Sequence, residues 1–73
     1  MTKTELINRL KAENEGKAFI TRTNLKPILG LGWVAVDSIL ENLDYLETGE
    51  TDRRYRRYLV DEVAEAILEN RRR

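Results

Sequence analysis

The sequence of 73 residues predicts a single, mostly helical domain over residues 1–73 that carries a small β-hairpin. Three observations lead to this prediction. Apolar residues recur at helical spacing in several short segments. Glycines mark a tight turn near the middle of the chain, and a polar, turn-rich stretch near residue 50 separates two β-prone segments. The predicted order is helix, short strand, helix, helix, hairpin and helix.

Composition excludes several classes of function. The chain has no cysteine and no histidine, so it lacks disulfides, thiolate metal ligands and the commonest general base. We therefore expect no enzyme, no cofactor and no metal site. No apolar run approaches the roughly 20 residues that span a bilayer, and no signal-peptide pattern is visible. A cytoplasmic protein without a membrane partner is the expectation.

The distribution of charge says more than its total. Thirteen basic residues balance thirteen acidic ones. Residues 1–50 hold six basic and eight acidic groups, a net of −2, whereas residues 51–73 hold seven and five, a net of +2. Four of the later arginines lie within residues 53–57, beside two tyrosines. A neutral total argues weakly against nucleic-acid binding, but this local density favours it over an ordinary solvated surface.

The first helix is predicted over residues 3–14. Thr2 and Glu5 have the spacing of a capping box, and Gly16 is well placed to end the helix. After it, Phe19 and Ile20 predict either a brief strand that pairs with the later hairpin or a buried loop.

The second helix is predicted over residues 24–29, with Thr23 or Asn24 as its cap. Pro27 is tolerated only in a first turn, which places the helix start near Asn24. Gly30 and Gly32 then permit a sharp turn into the next helix.

The third helix is predicted from Trp33 or Val34 to Leu43. Its inward stripe has complete helical spacing and consists of Val36, Ile39, Leu40 and Leu43. The opposite face shows Val34, Ser38 and Glu41, flanked by Asp37 and Asn42. Base reading favours Arg, Lys, Asn and Gln, so the acidic residues argue against strong reading by this helix alone. For Trp33 two roles stay open: partial core packing, or contact with a DNA backbone or a partner protein.

The hairpin is predicted from a strand at residues 45–47, a turn at residues 48–52 and a return strand at residues 55–60. Arg53, Arg54 and Arg56 or Arg57 then lie at its tip and outer edge, which suits phosphate or minor-groove contact. A last helix is predicted to be capped by Asp61. Its terminal arginines, residues 71–73, are read as a solvated end rather than as a second binding site.

Two helices joined by a tight turn, followed by a basic hairpin, predict a winged helix-turn-helix. The motifs FITRT-x-L from Phe19, LG at Leu29, V-x-x-IL from Val36 and RRYLVD-x-V from Arg56 resemble the excisionase-type, MerR-like winged helix-turn-helix family. Such proteins accompany tyrosine integrases, bind and bend DNA at attachment sites, and bias recombination toward excision.

This resemblance implies double-stranded DNA as a partner, and also a tyrosine integrase or a second copy of the chain. The role implied is that of an excisionase-like recombination directionality factor or a small transcriptional regulator. The implied DNA contacts are Arg22, Thr23, Lys26, Trp33, Val34, Ser38, Arg53, Arg54, Arg56 and Arg57. The alternative is a winged-helix protein-interaction module that uses Trp33 and the acidic face of the third helix.

Overall fold

A computed structural model describes residues 1–47 and 56–70 of the chain. Within these residues the elements are α1 (Lys3–Glu13), β1 (Phe19–Thr21), α2 (Arg22–Leu29), α3 (Trp33–Leu40), β2 (Arg57–Leu59) and α4 (Val60–Glu69). The predicted mostly helical architecture, with a small antiparallel sheet, is confirmed. The predicted hairpin tip, with Arg53 and Arg54, and the terminal arginines lie outside the described residues. None of the described helices has the length and apolar character needed to cross a membrane.

Helix α1 begins as predicted. The Thr2 hydroxyl accepts a hydrogen bond from the Glu5 amide at 3.1 Å, and the Glu5 carboxylate accepts one from the Thr2 amide at 3.2 Å. The helix ends at Glu13, and the Gly16 amide donates to the Lys11 carbonyl at 2.6 Å. This bond closes the helix through a turn in which both Glu15 (φ 58°) and Gly16 (φ 76°) adopt left-handed backbone angles.

Asn14 joins this turn to the sheet. Its side chain is buried, and its amide group donates to the carbonyls of Phe19 at 2.8 Å and Lys17 at 3.3 Å. A buried amide satisfied in this way fixes where β1 begins.

The sheet settles the choice between strand and loop for the segment after α1. Strands β1 and β2 are antiparallel, with Phe19 opposite Leu59, Ile20 opposite Tyr58 and Thr21 opposite Arg57. On the other side of β2, Leu46 and Arg57 exchange backbone hydrogen bonds of 2.7 and 3.2 Å. The first strand of the predicted hairpin is thus a single bridging residue in the described part of the chain.

Helix α2 starts earlier than predicted. Thr21, rather than Thr23 or Asn24, is its cap, because the Thr21 hydroxyl accepts from the Asn24 amide at 3.3 Å. Pro27 therefore lies inside the helix, where its missing amide leaves the carbonyl of Thr23 without a helical donor. Both residues are exposed, so water can take the place of that donor.

Helix α3 is shorter than predicted and ends at Leu40. The Leu43 amide donates to the Leu40 carbonyl at 3.0 Å, a tighter turn than that of an α-helix. Leu43 still packs against the core. The predicted inward position of Leu43 is therefore confirmed, whereas the predicted helix end at Leu43 is wrong.

Helix α4 begins at Val60, directly after β2, with Leu59 as its cap residue. The predicted cap, Asp61, lies instead within the first turn. The Val60 amide donates to the Ala18 carbonyl at 2.9 Å. Pairing with the segment before β1 therefore satisfies this amide, and the helix starts two residues earlier than a cap at Asp61 predicts.

Each of these elements contributes to one core. Its buried members are Leu10, Ile20, Leu25, Val36, Leu40, Tyr58, Val60, Val63 and Ala64. They hold α2, α3 and the sheet in one arrangement, and this arrangement positions the surface described next.

Candidate functional site

Helices α2 and α3 are joined by a tight turn at residues 30–32. Gly30 adopts φ 68°, a left-handed angle, and its amide donates to the Lys26 carbonyl at 2.9 Å. A residue with a Cβ adopts this backbone angle at a cost, which explains glycine at the C-terminus of α2. The turn brings the start of α2 beside the first turns of α3.

An ion pair then ties the two helices together. The Arg22 guanidinium on α2 donates from Nε to Asp37 Oδ1 at 2.5 Å and from Nη2 to Asp37 Oδ2 at 3.0 Å. The two side chains are 15% and 34% exposed, respectively. Two parallel, partly shielded bonds to one carboxylate restrain the angle between the helices. They also offset the negative charge of Asp37 on α3.

The predicted residues Arg22, Lys26 and Trp33 come together at the start of α3. The Arg22 guanidinium carbon lies 4.0 Å from the centre of the Trp33 ring, and the Lys26 ammonium lies 5.2 Å from it. Both distances are within the range of a cation–π interaction. Trp33 nevertheless stays 41% exposed. The indole thus lies at the surface beneath two cations, and its two predicted roles, partial core packing and contact with a DNA backbone or a partner protein, stay predictions.

The outer face of α3 follows the predicted helical period. Val34, Ser38 and Glu41 are exposed, and Val34 is 86% exposed. Leu31, in the preceding turn, is also exposed. The face therefore has an apolar end near the helix start and an acidic end at Glu41.

A second cation–aromatic stack lies where the predicted wing begins. The Arg56 guanidinium carbon is 4.2 Å from the centre of the Tyr45 ring, and Tyr45 packs at a tilt on Tyr58 with ring centres 6.1 Å apart. Arg56 Nε is buried and has no hydrogen-bond partner within the described residues. Its neighbour Arg57 is exposed in β2. The stack orients one arginine across the sheet edge and leaves the next one at the surface.

An open groove of about 280 Å³ connects the two stacks. Arg22 and Asp37 line it on one side, Arg56 and Tyr58 on another, with Leu40 and Glu41 completing the wall. Arginines from α2 and from the base of the predicted wing thus share one surface.

The remaining predicted contacts are placed as follows. Thr23 is exposed on α2 and Ser38 is exposed on α3, whereas Arg53 and Arg54 lie outside the described residues. Sequence reasoning missed the roles of Asp37 and Tyr45. Asp37 lies fifteen residues from Arg22 in the chain, and no periodic signal links such a pair.

Other kinds of site find no support in the described part of the chain. No group of histidine, cysteine or carboxylate side chains there is arranged to hold a metal ion. Comparisons of the chain with protein-family models, with curated proteins and with solved structures gave no match.

Proposed function

We propose that this chain is a small winged helix-turn-helix protein that binds double-stranded DNA. Helices α2 and α3 form the helix-turn-helix, and the pairing of Leu46 with Arg57 starts the wing. Among DNA-binding proteins, we propose the excisionase-like class, a recombination directionality factor, with a small transcriptional regulator as the nearest variant. The support for that class is the set of motifs from Phe19 and Arg56. The order of elements, with α1 before the helix-turn-helix, is that of winged helices in general.

The observation that carries this proposal is the grouping of Arg22 and Lys26 around Trp33 at the start of α3. Cations held on an aromatic ring lose less conformational freedom when they meet phosphates than free surface side chains do. An exposed helix about 10–12 Å across fits a major groove about 12 Å wide. The cations then lie where the phosphates that border the groove would pass.

The wing adds the larger part of the expected charge. Arg56 and Arg57 lie at its described base, and Arg53 and Arg54 belong to the same basic run in the sequence. If four arginines each neutralise one phosphate, log K falls against log salt with a slope of about −3.6. Affinity for DNA then comes mainly from the wing, and α3 sets the orientation of the protein on the duplex.

Trp33 is the single tryptophan of the chain, so its fluorescence reports binding directly. Titrating the protein with a mixed-sequence duplex at several salt concentrations gives both the affinity and the salt slope. We expect saturable quenching or a spectral shift with a steep salt dependence. A flat salt response or an unchanged spectrum contradicts the proposal.

A charge-matched pair of variants separates the wing from general electrostatics. Replacing Arg53, Arg54, Arg56 and Arg57 by alanine should abolish binding while the domain stays folded. Replacing Arg9 and the terminal arginines, residues 71–73, removes the same charge elsewhere and should leave most of the affinity. Equal losses in the two variants would contradict a specific role of the wing.

DNA bending separates the excisionase-like role from simple regulation. A duplex is first selected from a random pool with the protein and then labelled at both ends. Its end-to-end distance should become shorter when the protein binds and bends it. A bound but straight duplex favours the regulator.

A protein-interaction module is the second candidate, and the exposed apolar residues Leu31, Trp33 and Val34 favour it. Contiguous exposed apolar side chains often mark protein interfaces. In that case the wild-type chain self-associates or binds a basic partner through these residues. Sedimentation of the wild-type chain and of Val34→Asp tests this, and a concentration-independent monomer argues against self-association.

A further inference from the structure

Helix α3 lacks the side chains that usually read bases by hydrogen bonding. Its sequence, WVAVDSIL, contains no arginine, lysine, asparagine or glutamine, which form the commonest bidentate contacts to guanine and adenine. The carboxylate of Asp37 is held by Arg22, and that of Glu41 lies at the C-terminal cap of the helix. Ser38 remains exposed on α3, but serine can hydrogen-bond to either kind of base. Discrimination between sequences by this helix therefore needs another kind of contact.

Val34 offers that contact. It is 86% exposed in the first turn of α3, where base-edge contacts of a recognition helix concentrate. Valine is β-branched and holds mainly one χ1 rotamer in a helix, so its two methyl groups present a fixed apolar surface. The major groove displays one apolar feature of its own, the 5-methyl group of thymine.

The surroundings of Val34 favour DNA over a protein as its occupant. Lys26 and Arg22 are stacked on the neighbouring Trp33 ring. The positive charge of Lys26 complements the phosphates that border a major groove, and the Arg22–Asp37 pair fixes α3 relative to α2. The apolar side chain of Val34 beside a cation thus complements a thymine methyl group in a groove that phosphates border.

We infer that Val34 is a specificity-determining residue that reads thymine through its 5-methyl group in the major groove. This inference rests on the proposed DNA binding and deepens it. The chain should prefer sites with thymine under the first turn of α3, and this preference should be independent of hydrogen bonding to the base.

Substituting uracil for thymine tests the inference, because uracil lacks only the methyl group. Duplexes are first selected from a random pool with the wild-type chain, and each thymine of the selected site is then replaced singly by uracil. At one or two positions we expect wild-type binding to weaken about fourfold, the scale of one buried methyl or methylene group. Val34→Ala should bind the thymine and uracil duplexes equally.

Leu31→Ala is the matched control, because it removes an exposed apolar side chain that precedes α3. It should keep the fourfold preference for thymine. Val34→Ala should also keep the thermal midpoint of unfolding, since the exposed Val34 side chain contributes little to the core. Val34→Thr, which retains one of the two methyl groups, provides a second variant of intermediate preference.

The outcomes separate the two levels of the proposal. Tight, salt-dependent binding with equal affinity for thymine and uracil overturns the role of Val34 and leaves DNA binding intact. A fourfold preference that persists in Val34→Ala assigns the reading to another side chain and also overturns it. A wild-type chain that binds no duplex at low salt overturns both, whereas a chain that binds duplexes but enriches none overturns only the role of Val34.

Discussion

Arg22 opens α2 and faces Asp37 in the second turn of α3, with both nitrogen–oxygen distances at hydrogen-bonding length, 2.5 and 3.0 Å. The same guanidinium covers the ring of Trp33. One side chain thus connects the carboxylate of one turn of α3 with the indole of the turn before it.

Replacing Asp37 by alanine should destabilise the domain by about 1–3 kcal/mol, because it removes two hydrogen bonds to a charged and largely buried group. The partial exposure of Asp37 keeps the effect below that of a fully buried pair. Urea unfolding followed by circular dichroism measures the change.

Arg22 and Asp37 both make further interactions, so a double-mutant cycle is needed to isolate the free energy of their pairing. Arg22→Met, Asp37→Ala and the double variant should yield a coupling free energy above about 0.5 kcal/mol, the usual limit of additivity. Additive effects would show that the ion pair does not restrain the helices.

Glu41→Gln should strengthen duplex binding by about two- to fivefold at low salt, because an exposed carboxylate on the outer face of α3 repels phosphates. The gain should shrink as salt is added, since salt screens exposed charges. Trp33 fluorescence titrations measure both effects.

Glu13→Gln is the control for this change, as it removes an equal charge from exposed α1. It should alter affinity much less. Glu41→Gln could instead weaken binding of the chain to a basic protein partner and leave DNA affinity unchanged. That result would support the protein-interaction role and contradict the DNA-binding role of this face.

Glu15→Gly should raise the free energy of unfolding by about 0.5–1 kcal/mol. Glu15 has a φ of 58°, and a side chain at this left-handed angle costs about 1–2 kcal/mol, part of which the greater freedom of glycine in the unfolded chain offsets. The exposed ion pair of Glu15 with Lys17, 3.2 Å long, contributes little.

A thermal midpoint several degrees higher is the expected readout for a domain of this size. Glu15→Ala also loses the ion pair but keeps a Cβ at the strained angle, so it should bring no such gain. An equal rise in both variants would point to the ion pair or to helix propensity instead of the backbone angle.

The capping box at the start of α1 makes stability depend on pH. The hydrogen bonds from the backbone amide and the hydroxyl of Thr2 lower the pKa of Glu5 below its ordinary value of 4.5. Because the folded-state pKa is the lower one, Glu5 contributes its stabilisation fully above about pH 4.5. That contribution is lost as the pH falls through the folded-state pKa.

Urea midpoints measured between neutral pH and the acid limit check this dependence in the wild-type chain and in Glu5→Gln. The two proteins should differ most near neutral pH and converge in acid. Thr2→Ala keeps the backbone amide that donates to the Glu5 carboxylate and removes the hydroxyl, so it should weaken the same dependence only in part. A constant difference across the pH range would contradict it.

Local chemistry in the sequence determined most elements of this fold. The capping box, the helical apolar stripes and the turn glycines depend on residues only a few positions apart. For this reason the four helices and the segment of β1 could be predicted in order. Their ends could not be predicted. The cap of α2 is Thr21 rather than Thr23 or Asn24, because strand pairing of Thr21 with Arg57 fixes where β1 stops.

Tertiary structure alone decided how charge is arranged on the candidate site. From the sequence, Asp37 counted against contact with phosphate, and Arg22 counted as a separate cation. Packing of α2 on α3 joins them across fifteen residues, and the same packing places Trp33 under Arg22 and Lys26. Interactions between residues far apart in the chain leave no periodic trace in the sequence, so only the folded core, which sets the angle between α2 and α3, brings these groups together.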